Sequence, residues 1–233
     1  MKKAFLFLLL GGTLVTANAQ TADEVVTKHI EALGGKEKLL TLKTLVREGA
    51  LNYQGMEIPL VLSAEQSKGF RMEINVMGTK GYQVVTPTAG WQYMPFQGST
   101  SVEDMKEDEV KESQDDLDIQ GELLDYATKG HKVELAGKEK MDGAECFKLK
   151  FTDKNGRVKQ IFIDASTYYI NKVIATSKAG GEEKTSELGY SNYKKTTDGF
   201  IIAHTLTRPE GEVNFEKIST NTTIPEDAFK PAK

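Results

Sequence analysis

The stretch IPLVLSAEQSKGFRMEINV, residues 58–76, decides the fold because it contains two alternating runs around a short polar turn. Apolar residues fill every second position of both runs: Ile58, Leu60, Leu62 and Ala64 in the first, and Phe70, Met72, Ile74 and Val76 in the second. This two-residue period is typical of antiparallel strands with one buried face and one solvated face. The stretch therefore predicts two strands whose even-numbered side chains share a face.

The same period continues through most of the chain. It predicts further strands at residues 45–53, 82–86, 91–96, 132–135, 146–152, 158–164, 169–176, 185–193, 200–207 and 213–218. Turn signals separate several of them, namely Asp142-Gly143, Asn155-Gly156, Gly180-Gly181 and Asp198-Gly199. About a dozen strands without βαβ units predict an α+β, mainly β fold. We expect a single strongly curved antiparallel sheet, a half-open barrel, with helices covering its concave side.

Two short helices are predicted before the first strand. Thr21 and Glu24 fit a capping box, in which a hydroxyl and a carboxylate three residues later satisfy N–H groups at a helix start. Apolar residues at helical spacing continue to Gly34-Gly35, a typical stop signal. A second helix is predicted over residues 36–41.

Residues 99–128 interrupt the strands and predict a helical region, with Ser101 and Asp104 as its capping box. Nine carboxylates lie between Glu103 and Asp118, and apolar residues are scattered. Two interpretations remain open for this region. It is either a solvated helical excursion or a mobile cover that docks weakly over the sheet.

The first residues have the pattern of a secretory signal peptide. Lys2 and Lys3 precede an apolar run, residues 4–10, that is too short to span a bilayer, and Ala17-Asn18-Ala19 fits a cleavage site. We therefore expect a signal peptide at residues 1–19, a single domain at residues 20–233 and a periplasmic location. No Cys follows the cleavage point, so no lipid anchor of its own is expected. The single Cys146 excludes an intramolecular disulfide and is expected to be a small buried hydrophobe.

Composition excludes several classes of function. The chain has a formal charge of −4, 27% charged residues and a mean hydropathy of −0.42. These values argue against a polytopic membrane protein and against nucleic-acid binding, which requires clustered Lys and Arg. The sequence lacks H-E-x-x-H, C-x-x-C and G-x-S-x-G motifs, and its three His residues are far apart. We predict no enzyme: no catalytic residue, no metal site and no cofactor.

The remaining feature is an excess of large apolar side chains on alternating strands. We predict that the ligand-binding residues lie on the even-numbered face of the two clearest strands, with two aromatic residues extending it: Ile58, Leu60, Leu62, Phe70, Met72, Ile74, Val76, Trp91 and Tyr93. A register error of one residue would reverse each assignment. These side chains either pack together as a filled core or line a hollow, and alternation alone does not decide between the two.

The chain resembles the periplasmic outer-membrane lipoprotein carrier and sorting family (LolA/LolB-like) over nearly the whole mature length. The resemblance rests on ADEVVTKHIEALGG at 22–35, QSKGFRMEINV at 66–76, GWQYMPF at 90–96, MDGAECFKLKFTDKNG at 141–156, IFIDASTYYINKVIAT at 161–176 and NTTIPEDAFK at 221–230. It implies a half-open antiparallel barrel with a helical lid over an apolar cavity. A functional Arg of the carriers lies just before the strand equivalent to residues 70–76, where this chain has Lys68 and Gly69, with Arg71 inside the strand.

The resemblance also implies a function. We expect an exported protein that binds a lipid or an acylated lipoprotein in an apolar cavity during outer-membrane lipoprotein sorting. Membrane-bound donor and acceptor proteins are its expected partners. An envelope-stress or partner-binding sensor module of the same fold is the alternative. A hydrolase remains a third possibility because carboxylates are abundant.

Overall fold

A computed structural model describes residues 20–179 and 182–231, so the predicted signal peptide at residues 1–19 and the predicted turn Gly180-Gly181 lie outside the described residues. The described residues form thirteen strands: β1 (Thr44–Tyr53), β2 (Met56–Glu65), β3 (Gly69–Val76), β4 (Thr79–Val85), β5 (Gly90–Tyr93), β6 (Glu103–Asp104), β7 (Lys132–Met141), β8 (Ala144–Thr152), β9 (Val158–Asp164), β10 (Ile170–Ala179), β11 (Glu182–Lys195), β12 (Ile201–Arg208) and β13 (Gly211–Thr220).

All thirteen strands belong to one antiparallel sheet. Their order is β6-β5-β4-β3-β2-β1-β13-β12-β11-β10-β9-β8-β7, so almost every strand pairs with its neighbour in sequence. The exception is the pairing of β1 with β13, which joins the first and last strands at the centre of the sheet. Strands β6 and β7 form the two edges, and the barrel is not closed. The predicted fold class, a curved antiparallel half-barrel with helical covers, is confirmed.

The helices before β1 follow the prediction. Helix α1 (Ala22–Ala32) begins with the predicted capping box: Thr21 Oγ1 accepts from the Glu24 N–H, and the Glu24 carboxylate accepts from the Thr21 N–H. A short helix α2 (Lys36–Leu40) follows. No helix formed by the described residues is long and apolar enough to cross a membrane.

The prediction of a helical region over residues 99–128 is largely wrong. Only α3 (Glu107–Glu112) and a 3₁₀ turn (Ser113–Leu117) are helical. Ser101 and Asp104 form no capping box. Asp104 belongs to β6, and the side chain that bonds the N–H before α3 is that of Glu109. Beyond Leu117 the chain turns, with Gly121 at φ 98° and Asp125 at φ 51°, left-handed conformations that end a helix. We call residues 105–131 the cover segment.

The helices and the cover segment lie on the same face of the sheet, which we call the inner face. Val25 and Val26 of α1 pack on the buried side chains of β8 and β9, including Phe147 and Ile161. At the other end of the sheet, the cover segment packs Leu117 onto β2 and β3, and Met105 and Val110 onto β4. The inner face is therefore covered from two sides.

The opposite, outer face is covered by the end of the chain. Phe229 and Ile224 pack with Tyr82 and Val84 of β4. Gly69 permits this contact, because a Cβ at that position would lie 2.3 Å from the Phe229 ring. The missing side chain at the start of β3 thus leaves the space in which the C-terminal segment packs on the sheet.

Candidate functional site

Seven of the nine predicted binding residues lie together on the inner face. Leu60 lies opposite Ile74, Leu62 opposite Met72, and Ala64 opposite Phe70. Directly opposed residues of an antiparallel pair point to the same side of the sheet. By the same alternation the face also includes Ile58 and Val76. Whether these seven residues bind a ligand stays a prediction.

Trp91 and Tyr93 do not extend this face, and their placement on it is corrected. Trp91 lies opposite Val84 and Tyr93 opposite Tyr82, whereas the inner-face residue Phe70 lies opposite Val85. The register across β4 therefore puts both aromatic side chains on the outer face. They pack there with Val102 and the C-terminal segment.

The inner face is packed at its ends and more open at its centre. Under α1, the core side chains are almost completely buried, with Leu149 and Phe151 at 0% exposure. On the central strands, a second apolar cluster surrounds Leu206 and Phe215. Most of its members are only half-buried: Leu51, Leu62, Ile74, Leu188, Tyr190, Val213 and Ile218. The interior is therefore partly filled and partly open, and the open part is central.

A cavity of about 670 Å³ adjoins this centre, between α1, the cover segment and strands β9–β12. Its apolar wall includes Ile30, Leu123, Ile161, Ile170, Val173 and Leu188. Small-molecule sites in proteins typically occupy ~300–1,000 Å³ and are mostly apolar with a few placed polar groups. The cavity has this character.

One wall of the cavity is charged. The Lys159 ammonium lies between the carboxylates of Asp115 and Glu122, with the Glu122 contact at 2.8 Å. Lys159 itself is 8% exposed. Burial lowers the pKa of Lys159, but Glu122 and Asp115 outweigh this and raise it above its ordinary value. Burial raises the pKa of Glu122 to about 7, although Lys159 opposes the shift.

A neighbouring arginine links the same wall to the cover segment. Arg157 contacts Asp153 at 2.6 Å and Asp115 at 2.7 Å, and donates to the backbone carbonyls of Lys111 and Glu112. Two cations of β9 and the turn before it thus hold the middle of the cover segment. Within residues 20–179 and 182–231, no group of three or more His, Cys, Asp or Glu side chains is placed to hold a metal ion.

Sequence reasoning missed the charged side chains of this site, above all Lys159, Glu122 and Arg47. Lys159 and Glu122 are 37 residues apart in the chain. Arg47 occupies an inner-face position of β1, opposite Leu62. A signal was present for Lys159 and Arg47, because each takes an inward position in an alternating strand. A charge at such a position calls for a partner or a ligand.

A larger hollow of about 1070 Å³ lies on the outer face, above β1–β5. It is lined by Arg71, Glu73, Tyr82, Tyr93 and residues 100–102, among others. Arg71 is paired with Glu73, bonded to the Ala228 carbonyl and stacked over Tyr82. Neither α1 nor the cover segment roofs this hollow. We therefore take the smaller cavity, which lies between the sheet and both of these elements, as the candidate site.

Comparison with known proteins defines the class of the fold. No protein-family model matches the chain, and no curated protein matches it significantly. Among solved structures, it is similar to an outer membrane lipoprotein-sorting protein domain from Vibrio parahaemolyticus, with a TM-score of 0.54 and 16% identity over 89% of this chain and 95% of the other. It is also similar to a LolA superfamily protein from Nitrosomonas europaea, with a TM-score of 0.54 and 13% identity over 91% and 98%.

These similarities extend over nearly the full length of both chains. At such low identity they establish the fold alone. The resemblance to the LolA/LolB-like family, inferred from sequence segments, is confirmed at this level: the protein has a half-barrel fold of the LolA type.

Proposed function

We propose that the protein binds acyl chains of a lipid or an acylated lipoprotein at its inner face. The cavity of about 670 Å³ beside the half-buried central strands is the observation that supports this proposal most. On the sheet side its wall is mainly apolar, with Lys159 and Arg208 among its charged members. Its roof is formed by α1 and the cover segment, so that a bound hydrocarbon would be shielded from water.

The energetics favour such a role. Burying a methylene group is worth about 0.8 kcal/mol, so a 16-carbon chain in water is disfavoured by roughly 12 kcal/mol. A protein that carries the acyl chain through an aqueous compartment must recover most of this free energy on binding, and it must still be able to release the chain. Opening a roof that has contacts of its own lowers the net affinity, which makes release possible.

We further propose that the ligand is handed between membrane-bound donor and acceptor proteins in the periplasm, and that no bond is made or broken. The signal-peptide pattern at residues 1–19 supports export. The LolA-type fold supports the carrier role by analogy only, since one fold can host several functions.

A cavity-filling substitution tests the proposal. Ala175 lines the cavity, and its neighbour Ile174 points to the outer face of the same strand. Ala175→Phe should weaken the binding of cis-parinaric acid, followed by its fluorescence, at least roughly tenfold, because the ring occupies ligand space. Ile174→Phe is the matched control and should bind like the wild type. Equal binding by all three proteins would refute the site.

A second pair of variants tests the predicted face on β2 and β3. Met72→Asp puts a charge on the inner face, whereas Ser63→Asp puts one on the outer face opposite Arg71. We expect Met72→Asp to abolish probe uptake and Ser63→Asp to retain it, with circular dichroism reporting on folding. Mass spectrometry of lipids co-purified with the native protein would identify the ligand. A native protein without lipid that instead retains a fixed protein partner would favour the sensor alternative.

A further inference from the structure

Arg47 is a cation placed inside the apolar half-barrel. It lies opposite Leu62 of β2 and Ile218 of β13, both members of the central apolar cluster. Its guanidinium lies over the Phe215 ring, 5.0 Å from the ring centroid. The side chain thus projects from the middle strand of the sheet into the inner face.

The guanidinium of Arg47 has no hydrogen-bond acceptor and no ion-pair partner among residues 20–179 and 182–231, apart from its ring contact. Burial lowers the pKa of Arg47, and the charges of Asp116 and Tyr190 only partly oppose this. Arg47 is half-buried. A cation that is partly removed from water without hydrogen bonds is destabilised, so inward-facing guanidinium groups in proteins are normally paired. Because the described residues provide no acceptor for Arg47, a ligand can take that place.

Three polar side chains connect Arg47 to the cavity, which all three line: Asp116 of the cover segment, Tyr190 of β11 and Arg208 of β12. Asp116 and Tyr190 lie close enough to Arg47 for their charges to act on it. Within the described part of the chain, none of the three side chains makes a hydrogen bond or an ion pair. They are nevertheless close enough for their charges to act on one another. Burial raises the pKa of Asp116, which disfavours its charged form. Asp116 does not approach Arg47 closely enough to form an ion pair, so the guanidinium remains available to an anionic ligand.

We propose that Arg47 binds the anionic head group, a carboxylate or a phosphate, of an acyl ligand whose hydrocarbon chain lies in the cavity. This inference rests on the proposed function and specifies the ligand class of the same site. A guanidinium offers a planar fork of N–H donors that matches both oxyanions. The apolar residues around Arg47 would receive the first carbons of the chain.

The test compares ligands that share a ten-carbon chain and differ in the head group: decanoate, decyl phosphate and decanol. Their dissociation constants are measured by calorimetry for the wild type, Arg47→Met and Lys217→Met. Lys217 lies one position from Ile218 on the opposite face and pairs there with Glu48, so its variant is a matched control for lost charge. The two anionic ligands distinguish a carboxylate from a phosphate.

We expect the wild type to bind one of the anionic ligands more tightly than decanol. Arg47→Met should weaken that ligand roughly 10- to 100-fold, the range for charge-assisted hydrogen bonds. It should change decanol by less than about twofold, and Lys217→Met should change neither. A wild type that binds decanol as tightly as both anions would overturn the inference, whether or not Arg47→Met folds. Equal losses of affinity for all three ligands would also overturn the inference, because Arg47 would then hold the cover segment in place and would not bind the head group. Failure of all three to bind the wild type would instead refute the proposed function.

Discussion

Helix α1 and the cover segment lie on the same inner face, but ion pairs contribute much more to the cover segment than to α1. Helix α1 is held by apolar side chains, with Val25 at 0% and Val26 at 6% exposure. The cover segment also buries apolar side chains, with Leu117 at 6%, Leu123 at 3% and Leu124 at 2% exposure, and its carboxylates form ion pairs with Lys159 and Arg157 as well. Helix α1 is thus held mainly by apolar burial, whereas the cover segment combines apolar burial with ion pairs.

The difference indicates which element opens. Apolar burial contributes about 25 cal/mol per Å² and has no alternative partner in water. Ions that leave water for a protein interior recover little more than their desolvation cost, so opening such a contact is cheaper. We therefore expect the ion-paired part of the cover segment, residues 107–122, to open more readily than α1 when the cavity admits a ligand. Three experiments can break or sharpen this comparison.

The largest effect is expected for Val25→Asp. It places an unpaired carboxylate in the core under α1, where Val25 has no exposed surface. The cost should be roughly 4 kcal/mol or more in the free energy of unfolding, measured by urea denaturation. Thr27→Asp on the exposed side of α1 is the control and should change it by less than about 0.5 kcal/mol. Similar losses for the two variants would mean that α1 is not anchored by its apolar face.

Lys159→Met should have a smaller global effect and a larger local one. It leaves Glu122 and Asp115 without their shared cation at a site where Lys159 is 8% exposed. We expect a loss of about 2–3 kcal/mol, below the ~3–5 kcal/mol of a fully buried pair, because the Asp115 and Glu122 side chains are 30% and 22% exposed. Hydrogen exchange should accelerate in residues 107–122 and remain unchanged in α1.

Lys36→Met is the control for Lys159→Met. Lys36 pairs with Asp125 of the cover segment, but both side chains are at least a third exposed. Exposed ion pairs contribute at most ~1 kcal/mol, so this variant should exchange like the wild type. If Lys159→Met left the cover segment as protected as Lys36→Met does, the charged wall would not be its anchor.

The sequence analysis predicted those features that depend on local geometry. Alternation within one strand is set by covalent structure, which is why the inner-face positions from Ile58 to Val76 could be assigned without knowing the sheet. The side of Trp91 depends instead on the register across β3, β4 and β5, and two hairpins accumulate that uncertainty. The assignment therefore failed at β5.

The charged wall could not be predicted for a related reason. Lys159 meets Asp115 and Glu122 across 44 and 37 residues of chain, and only the folded sheet brings them together. The carboxylate-rich region at 103–118 was assigned to helix from composition and one capping pattern. In the structure its carboxylates bind cations of β9 and neighbouring turns, and these long-range contacts outweigh a continuous helix.

The smallest effect is expected from pH, and its sign should differ between the two roof elements. Burial raises the pKa of Glu122 from 4.5 to about 7. The closed state therefore binds this proton more tightly, and its stabilising contribution is full below pH 4.5 and lost as the pH rises through about 7. Burial lowers the pKa of His29 in α1 below 6.5, although its contact with the Tyr168 carbonyl opposes the shift. The unfolded state then binds that proton more tightly, so α1 loses stability as the pH falls below 6.5.

Hydrogen exchange measured between about pH 5.5 and pH 7.5, and corrected for intrinsic rates, separates these two contributions. On acidification, protection should rise in residues 107–122 and fall in α1. One unit of pKa shift corresponds to roughly a tenfold change in protection, once the pH range covers the full titration of the group. Glu122→Gln should remove the rise and leave the fall in α1, since His29 is untouched. Parallel changes in both elements would show that they open as one unit. The ion pairs of the cover segment would then have no separate consequence for access to the cavity.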